Sequence, residues 1–182
     1  MKKKYFILAA ILALASTILA LTTNHYSDAN SPPVLKNFSL NSERTKLRLH
    51  LDIKESGRYD FQLVFSDMSG GKSTTPKFLQ SLMGDRIRNS GIKKIDDKIN
   101  YGSPIDVCLT VISATILDGF RNRECTKKTQ FNATSVYGFH KLIREVELKS
   151  GSYIVELQNN QNSHDFERFK VMFLISNSYG SK

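Results

Sequence analysis

Apolar residues recur at every second position over most of the chain, the spacing of strands with one buried face. The run 45–53, TKLRLHLDI, sets Leu47, Leu49, Leu51 and Ile53 on one face and Lys46, Arg48, His50 and Asp52 on the other. The run 58–65 turns Tyr59, Phe61, Leu63 and Phe65 inward. In 104–112 the inward set is Ile105, Val107, Leu109 and Val111, which leaves Cys108 facing the opposite way. Residues 152–158 contribute Tyr153, Val155 and Leu157. In 169–176 the inward residues Phe169, Val171, Phe173 and Ile175 alternate with Met172 and Leu174, which are apolar too. That strand reads as buried on both faces and central in its sheet. Two more strands are expected at 34–40 and 140–148. About seven short strands predict an all-β chain, a single immunoglobulin-like β-sandwich, with an up-and-down barrel as the competing architecture.

One phrase occurs twice. KESGRYDFQLVF, 54–65, returns as LKSGSYIVELQ, 148–158. In each, Ser-Gly stands where one strand ends and the next begins, and a tyrosine follows just inside the new strand. Gly57 and Gly151 supply turn conformations that other residues resist. Tyr59 and Tyr153 pack their rings inward, with hydroxyls in reach of the backbone near the turn. The repeat predicts two similar hairpins in similar places on the two sheets, and carries no chemistry. The segment 73–89 breaks the alternation. Thr74 or Thr75 can cap it, Pro76 suits the first turn, and Phe78, Leu79, Leu82, Met83 and Ile87 have helical spacing. It predicts one short helix inserted between strands, weakened by Gly84.

The N-terminus reads as an export signal. Lys2, Lys3 and Lys4 precede an uncharged apolar run over 5–21. Residues 1–22 are assigned to a signal peptide or N-terminal anchor, 23–33 to a polar proline-containing spacer, 34–176 to the sandwich and 177–182 to a tail. No cysteine follows the apolar run, which excludes lipid attachment there. If the leader is cut the protein is soluble; if it is kept, residues 5–21 hold it to the inner membrane. Either way the expected location is the periplasm. Cys108 and Cys125 then lie in an oxidising compartment, where an isolated pair most often forms a disulfide; two buried thiols are the alternative. The bridge would close a loop of about 18 residues, worth roughly 3 kcal/mol by loop entropy.

The net charge of +9 is concentrated rather than spread. One basic stretch, 72–98, includes Lys77, Arg86, Arg88, Lys93 and Lys94. The second, 121–128, contains Arg121, Arg123, Lys127 and Lys128. Both fall in expected excursions between strands, where binding residues collect. Phe78, Leu82 and Met83 accompany the first, and Phe120 and Phe131 flank the second. A solvated surface is the plainer reading of such charge. The functional one is a partner surface, with the disulfide pinning the second stretch against a core strand. The expected partner is a protein. Anionic lipid or cell-wall material is the alternative, which would make the chain a structural or accessory envelope component. Nucleic acid is not the expected partner, given the location.

Candidate catalytic chemistry is thin. No two of His25, His50, His140 and His164 have metal-ligand spacing, and two cysteines 17 apart do not form a metal site. MSGGKST, 68–74, lacks the glycine that opens a phosphate loop and reads as a solvated turn. Glu145 and Glu147 share the outer face of a strand, which explains them without acid-base work. No catalytic residue, metal or cofactor is expected, and the chain reads as a binding protein rather than an enzyme. An unrecognised hydrolase is the third reading.

Four features in order are Gly57-Arg58-Tyr59, the basic segment 76–89, Pro104-Ile105-Asp106-Val107-Cys108-Leu109, and Leu148-Lys149-Ser150-Gly151-Ser152-Tyr153. Their order over 40–176 resembles a family of small bacterial envelope proteins of unknown function. Those have a signal peptide or lipoprotein leader and one β-sandwich. Some members are encoded beside antibacterial effectors delivered by type VI secretion, so the resemblance implies an immunity-like role, with an effector as the partner. The chain departs from the lipoprotein members in lacking a leader cysteine. The resemblance implies no catalytic residues.

Overall fold

Nine strands lie in two antiparallel sheets. The computed structural model describes residues 30–67, 81–85, 100–115, 119–135 and 138–178. The strands are β1 (Val34–Asn37), β2 (Lys46–Ile53), β3 (Gly57–Asp67), β4 (Val107–Ser113), β5 (Arg121–Thr126), β6 (Gln130–Ser135), β7 (Gly138–Leu148), β8 (Gly151–Asn159) and β9 (Phe169–Asn177). One sheet has the order β1-β9-β3-β7-β6, the other β2-β8-β4-β5. Two separate sheets rule out the closed barrel.

All seven strands read from the alternation are present. The faces are those the pattern assigns: Leu49, Leu51, Phe61, Leu63, Phe65, Val107, Leu109, Val111, Val155, Leu157, Phe173 and Ile175 meet in one core between the sheets. Phe65 packs on Phe166 at 4.8 Å, while Phe61 lies 6.2 Å from Phe173. β9 is interior to its sheet, although Met172 and Leu174 on its outer side are only half-buried. Asn30, within the expected spacer, is already docked on β2: its N–H donates to the His50 carbonyl at 3.0 Å and its carbonyl accepts from the Asp52 N–H at 2.9 Å.

Two strands were not legible. β5 occupies most of 121–128, the region expected to be a basic excursion, as an edge strand, and β6 follows it. β5 reads RNRECT, without an apolar alternation, because an edge strand with one solvated face needs none. The helix expected over 73–89 lies mostly outside the described residues; within them 81–83 are helical. Among the named elements the only helical one is a 3-10 turn at His164–Phe166.

The repeated phrase is a pair of crossings, and the two expected hairpins are absent. β2 and β3 lie in different sheets, as do β7 and β8, so each Ser-Gly carries the chain from one layer to the other. The crossings run side by side in opposite directions, because β2 pairs with β8 and β3 with β7. Gly57 stands opposite Leu148, and Ile53 opposite Gly151. The corners touch, the Ser150 N–H donating to the Ser56 hydroxyl at 2.9 Å.

The tyrosines act in matching ways. The Tyr59 hydroxyl donates to the Glu55 carbonyl at 2.6 Å and the Tyr153 hydroxyl to the Lys149 carbonyl at 2.9 Å, each four residues back. Burial, and secondarily the charge of Glu55, raise the Tyr59 pKa, so its hydroxyl keeps the proton it donates. The glycines differ. Gly151 has φ of 147°, while Gly57 is outside the positive region. Space is open around both, so backbone conformation alone separates them. Gly151→Ala is expected to cost about 1–3 kcal/mol, and Gly57→Ala about 0.5 kcal/mol or less. Urea midpoints at constant slope check both.

Candidate functional site

The outer face of the β2-β8-β4-β5 sheet gathers charge from distant parts of the chain. Register sets its rows. Arg48, Glu156, Thr110 and Arg123 lie across it in one row, and His50, Ile154, Ile112 and Arg121 in the next. A third row runs Lys46, Gln158, Cys108, Cys125. β2 and β5 are three strand spacings apart, so the two basic edges are separated by roughly 14 Å. Between them Thr110 is buried and Ile112 and Ile154 are half-buried.

The face carries an excess of positive charge. Arg48 is paired to Glu156 at 3.4 Å. Arg121 and Arg123 are exposed, and among the described residues neither has an ion-pair partner. With Lys46 and Arg48 they outnumber the carboxylates Asp52 and Glu156 on this face. Beside Lys46 an open groove of about 480 Å³ lies between the sheets, with Phe38, Leu47 and Phe169 in its lining.

β5 is held in place from both sides. Cys108 and Cys125 are directly opposite in the β4–β5 ladder and are joined by a disulfide, their Cα atoms 3.9 Å apart. On the inner side Glu124 forms an ion pair with Arg144 of β7, tying the edge to the other sheet. Just beyond β5, Lys127 is 3.2 Å from Asp106 and Lys128 lies 5.6 Å over the Tyr101 ring. Lys127 and Lys128 therefore fasten the strand end to the 100–106 segment, whereas Arg121 and Arg123 are displayed.

The expected site is thus divided. Arg121, Arg123, Lys127 and Lys128 are placed as described; Lys77, Arg86, Arg88, Lys93 and Lys94 lie outside the described residues. Of the apolar companions, Phe78 lies outside the described residues, and the others belong to the core or pack against it. Leu82 and Met83 are buried, and Phe120 stacks edge-on to Tyr153 at 6.0 Å. Phe131 packs against Phe139 at 6.4 Å. Sequence reasoning missed Lys46, Arg48 and His50 as part of the face. The alternation in 45–53 had set them on a polar side; only register brings that side alongside β5.

A second feature is a lysine in the core. Lys141 is cross-strand from Leu63 and Phe131, shares their inner face, and is wholly buried. Its Nζ donates to the carbonyls of Tyr101 at 2.7 Å and Leu82 at 3.4 Å. Those carbonyls belong to a backbone collar in which the Asp85 N–H donates to the Asn100 carbonyl at 2.6 Å and the Ser103 N–H to that of Leu82 at 3.0 Å. Gly84 and Gly102, at φ of 84° and 72°, meet so closely that a Cβ on either would lie within 2.6 Å of backbone. Burial pulls the Lys141 pKa down to about 7.

A family model described as Domain of unknown function (DUF5625) matches residues 36–177. No curated protein matches the chain. A crystal structure of a protein from Sulfurospirillum deleyianum superposes with a TM-score of 0.61 at 16% identity, covering 81% of this chain and 98% of that one. At that identity the likeness is one of fold.

Two outcomes follow for stability. Replacing Cys108 and Cys125 together by serine is expected to cost about 3 kcal/mol, read as a lower urea midpoint. An unfolded lysine titrates near 10.4, so between about pH 7 and pH 10 the unfolded chain binds a proton that folded Lys141 does not. Stability therefore rises with pH across that window, by on the order of 4 kcal/mol at the upper limit, and the full cost of the buried charge is felt below pH 7. Lys141→Met flattens the rise, as unfolding at a series of pH values would show.

Proposed function

The chain belongs to the DUF5625 family, and we propose that it is an exported protein-binding module whose cationic β2-β8-β4-β5 face takes an acidic protein surface. The observation that carries this reading is the pair of arginines, Arg121 and Arg123, that have no ion-pair partner among the described residues and stand on an edge strand tied by a disulfide. A strand tied to both sheets loses little freedom on binding, which lowers the cost of association. Unpaired cations steer an acidic partner and orient it.

The finer reading is a periplasmic immunity protein that neutralises a type VI secretion effector by covering it. Its support is the resemblance of the motif order to that of effector-linked envelope proteins, together with a face whose edge strand is tied by a disulfide. The leader, and with it soluble or membrane-tethered placement, belongs to the same proposal. Among the described residues no helix is long and apolar enough to cross a membrane.

Partner capture from cells expressing the neighbouring genes, with washes of rising salt, tests both levels. One stoichiometric protein that survives moderate salt is the expected outcome, and a toxic one would make the immunity role concrete. Arg121→Glu with Arg123→Glu is expected to weaken its retention about tenfold or more, while stability stays within about 0.5 kcal/mol because both side chains are exposed. Diffuse membrane or wall material lost at modest salt would instead make the chain an accessory envelope protein.

A further inference from the structure

The other sheet carries a chain of hydrogen bonds on its outer face. Asp60 and Gln62, two apart on β3, share that face. His140 on β7 is opposite Val64 on one side and Ala133 on the other, and Ser135 stands two residues along from Ala133. The Gln62 Nε2 is 3.2 Å from Asp60 Oδ2, the His140 Nδ1 is 2.9 Å from Gln62 Oε1, and the Ser135 Oγ is 2.7 Å from His140 Nε2. His140, solitary in the sequence, is joined in the fold to residues 78 and 5 positions away.

The direction of every bond is forced from the carboxylate outward. A carboxylate only accepts, so Gln62 turns its NH₂ toward Asp60 and its oxygen toward His140. That oxygen also only accepts, so Nδ1 carries the imidazole proton. The remaining nitrogen, Nε2, then offers a lone pair, and the Ser135 hydroxyl donates to it. Burial lowers the His140 pKa, which keeps the ring neutral, with Nε2 unprotonated, at neutral pH. Exposure follows the same order. Ser135 faces solvent, whereas His140 and Gln62 are buried behind it.

This is the arrangement of an activated serine: a hydroxyl bonded to a neutral imidazole whose other nitrogen is held by a third group. An amide in the third position fails when it presents its NH₂ and imposes the wrong tautomer. Here Asp60 fixes the amide the right way round. We propose that Ser135 is a nucleophile that accepts acyl groups from small carboxylic esters, with His140 as its general base and Gln62 as the residue that positions the imidazole.

The step balances without a cofactor. Oγ bonds to the ester carbonyl carbon as its proton passes to Nε2. The bond to the leaving oxygen breaks and that oxygen takes the proton from Nε2. Water then repeats the sequence on the acyl-serine and releases the acid. β6 is an edge strand, so alternate main-chain N–H groups along it turn away from β7, donors of the type an oxyanion requires. A nucleophile on an open strand edge suits small, accessible acyl groups and slow turnover. This site and the cationic face are on different sheets, so either can exist without the other.

The test is labelling of the exported chain with a fluorophosphonate and, separately, with p-nitrophenyl acetate, read by intact mass and peptide mapping. One adduct on Ser135 is expected, lost in Ser135→Ala, which folds because the side chain is exposed. The labelling rate should rise with pH through an inflection below the ordinary histidine value and then level. His140→Ala should slow it about 100-fold. Should that variant fail to fold, Gln62→Met, which leaves the base but frees its tautomer, should still slow labelling and move the inflection. Gln62→Glu should preserve it. No adduct above the Ser135→Ala background would overturn the proposal, as would a rate that climbs with hydroxide and shows no inflection.

Discussion

The sandwich depends on two corners that lock each other. A chain that changes layer once can slide or splay, since nothing fixes the angle at which it crosses. Two crossings in contact, running in opposite directions, fix both. Tyr59 and Tyr153 are inserted into the core just inside the new strands, and each hydroxyl closes back on the backbone it has left. Each such bond is worth about 1 kcal/mol net, but its larger effect is on geometry. With the corners set, β2 must lie along β8 and β3 along β7, and every row of side chains on either outer face is registered from there.

The edges show how the same fold manages exposure and display together. An unpaired strand invites pairing with other chains, and charge is a common deterrent. β5 carries Arg121 and Arg123 outward, which serves that purpose whether or not a partner is bound. What sets β5 apart from a merely protected edge is how firmly it is fastened. The disulfide holds one face, Glu124 pairs with Arg144 of the other sheet, and Lys127 anchors its end on Asp106.

The buried polar groups have a different logic. Lys141 donates to the carbonyls of Tyr101 and Leu82 where the 82–85 and 100–103 segments meet, and its cost, while protonated, is a charge held in the core. His140, next in sequence, points the other way. Adjacent residues on a strand face opposite sides of the sheet, so one dipeptide contributes a donor to the core and a buried imidazole to the other face.

Much of the layering was legible in the chain itself. Leu47-Leu49-Leu51-Ile53, Tyr59-Phe61-Leu63-Phe65 and Tyr153-Val155-Leu157 each announce a strand and its buried side, because solvent acts on each residue locally and strand periodicity is local. The inward tyrosines followed from the same reading, and the cysteine pair from the expected export to an oxidising compartment. β5 and β6 did not, since RNRECT and QFNATS owe their conformation to neighbours rather than to burial of their own. Nor did the pairing of strands: the repeated Ser-Gly-x-Tyr suits a hairpin and a crossing equally, and only the packing of two layers decides between them. The meetings of Arg48 with Glu156, of Lys141 with Tyr101, and of Ser135 with His140 and Gln62 are consequences of register. Sequence alone determined which residues seek the interior, because that preference belongs to each side chain. Tertiary structure decided which polar residues face one another, because that depends on how strands far apart in the chain are aligned.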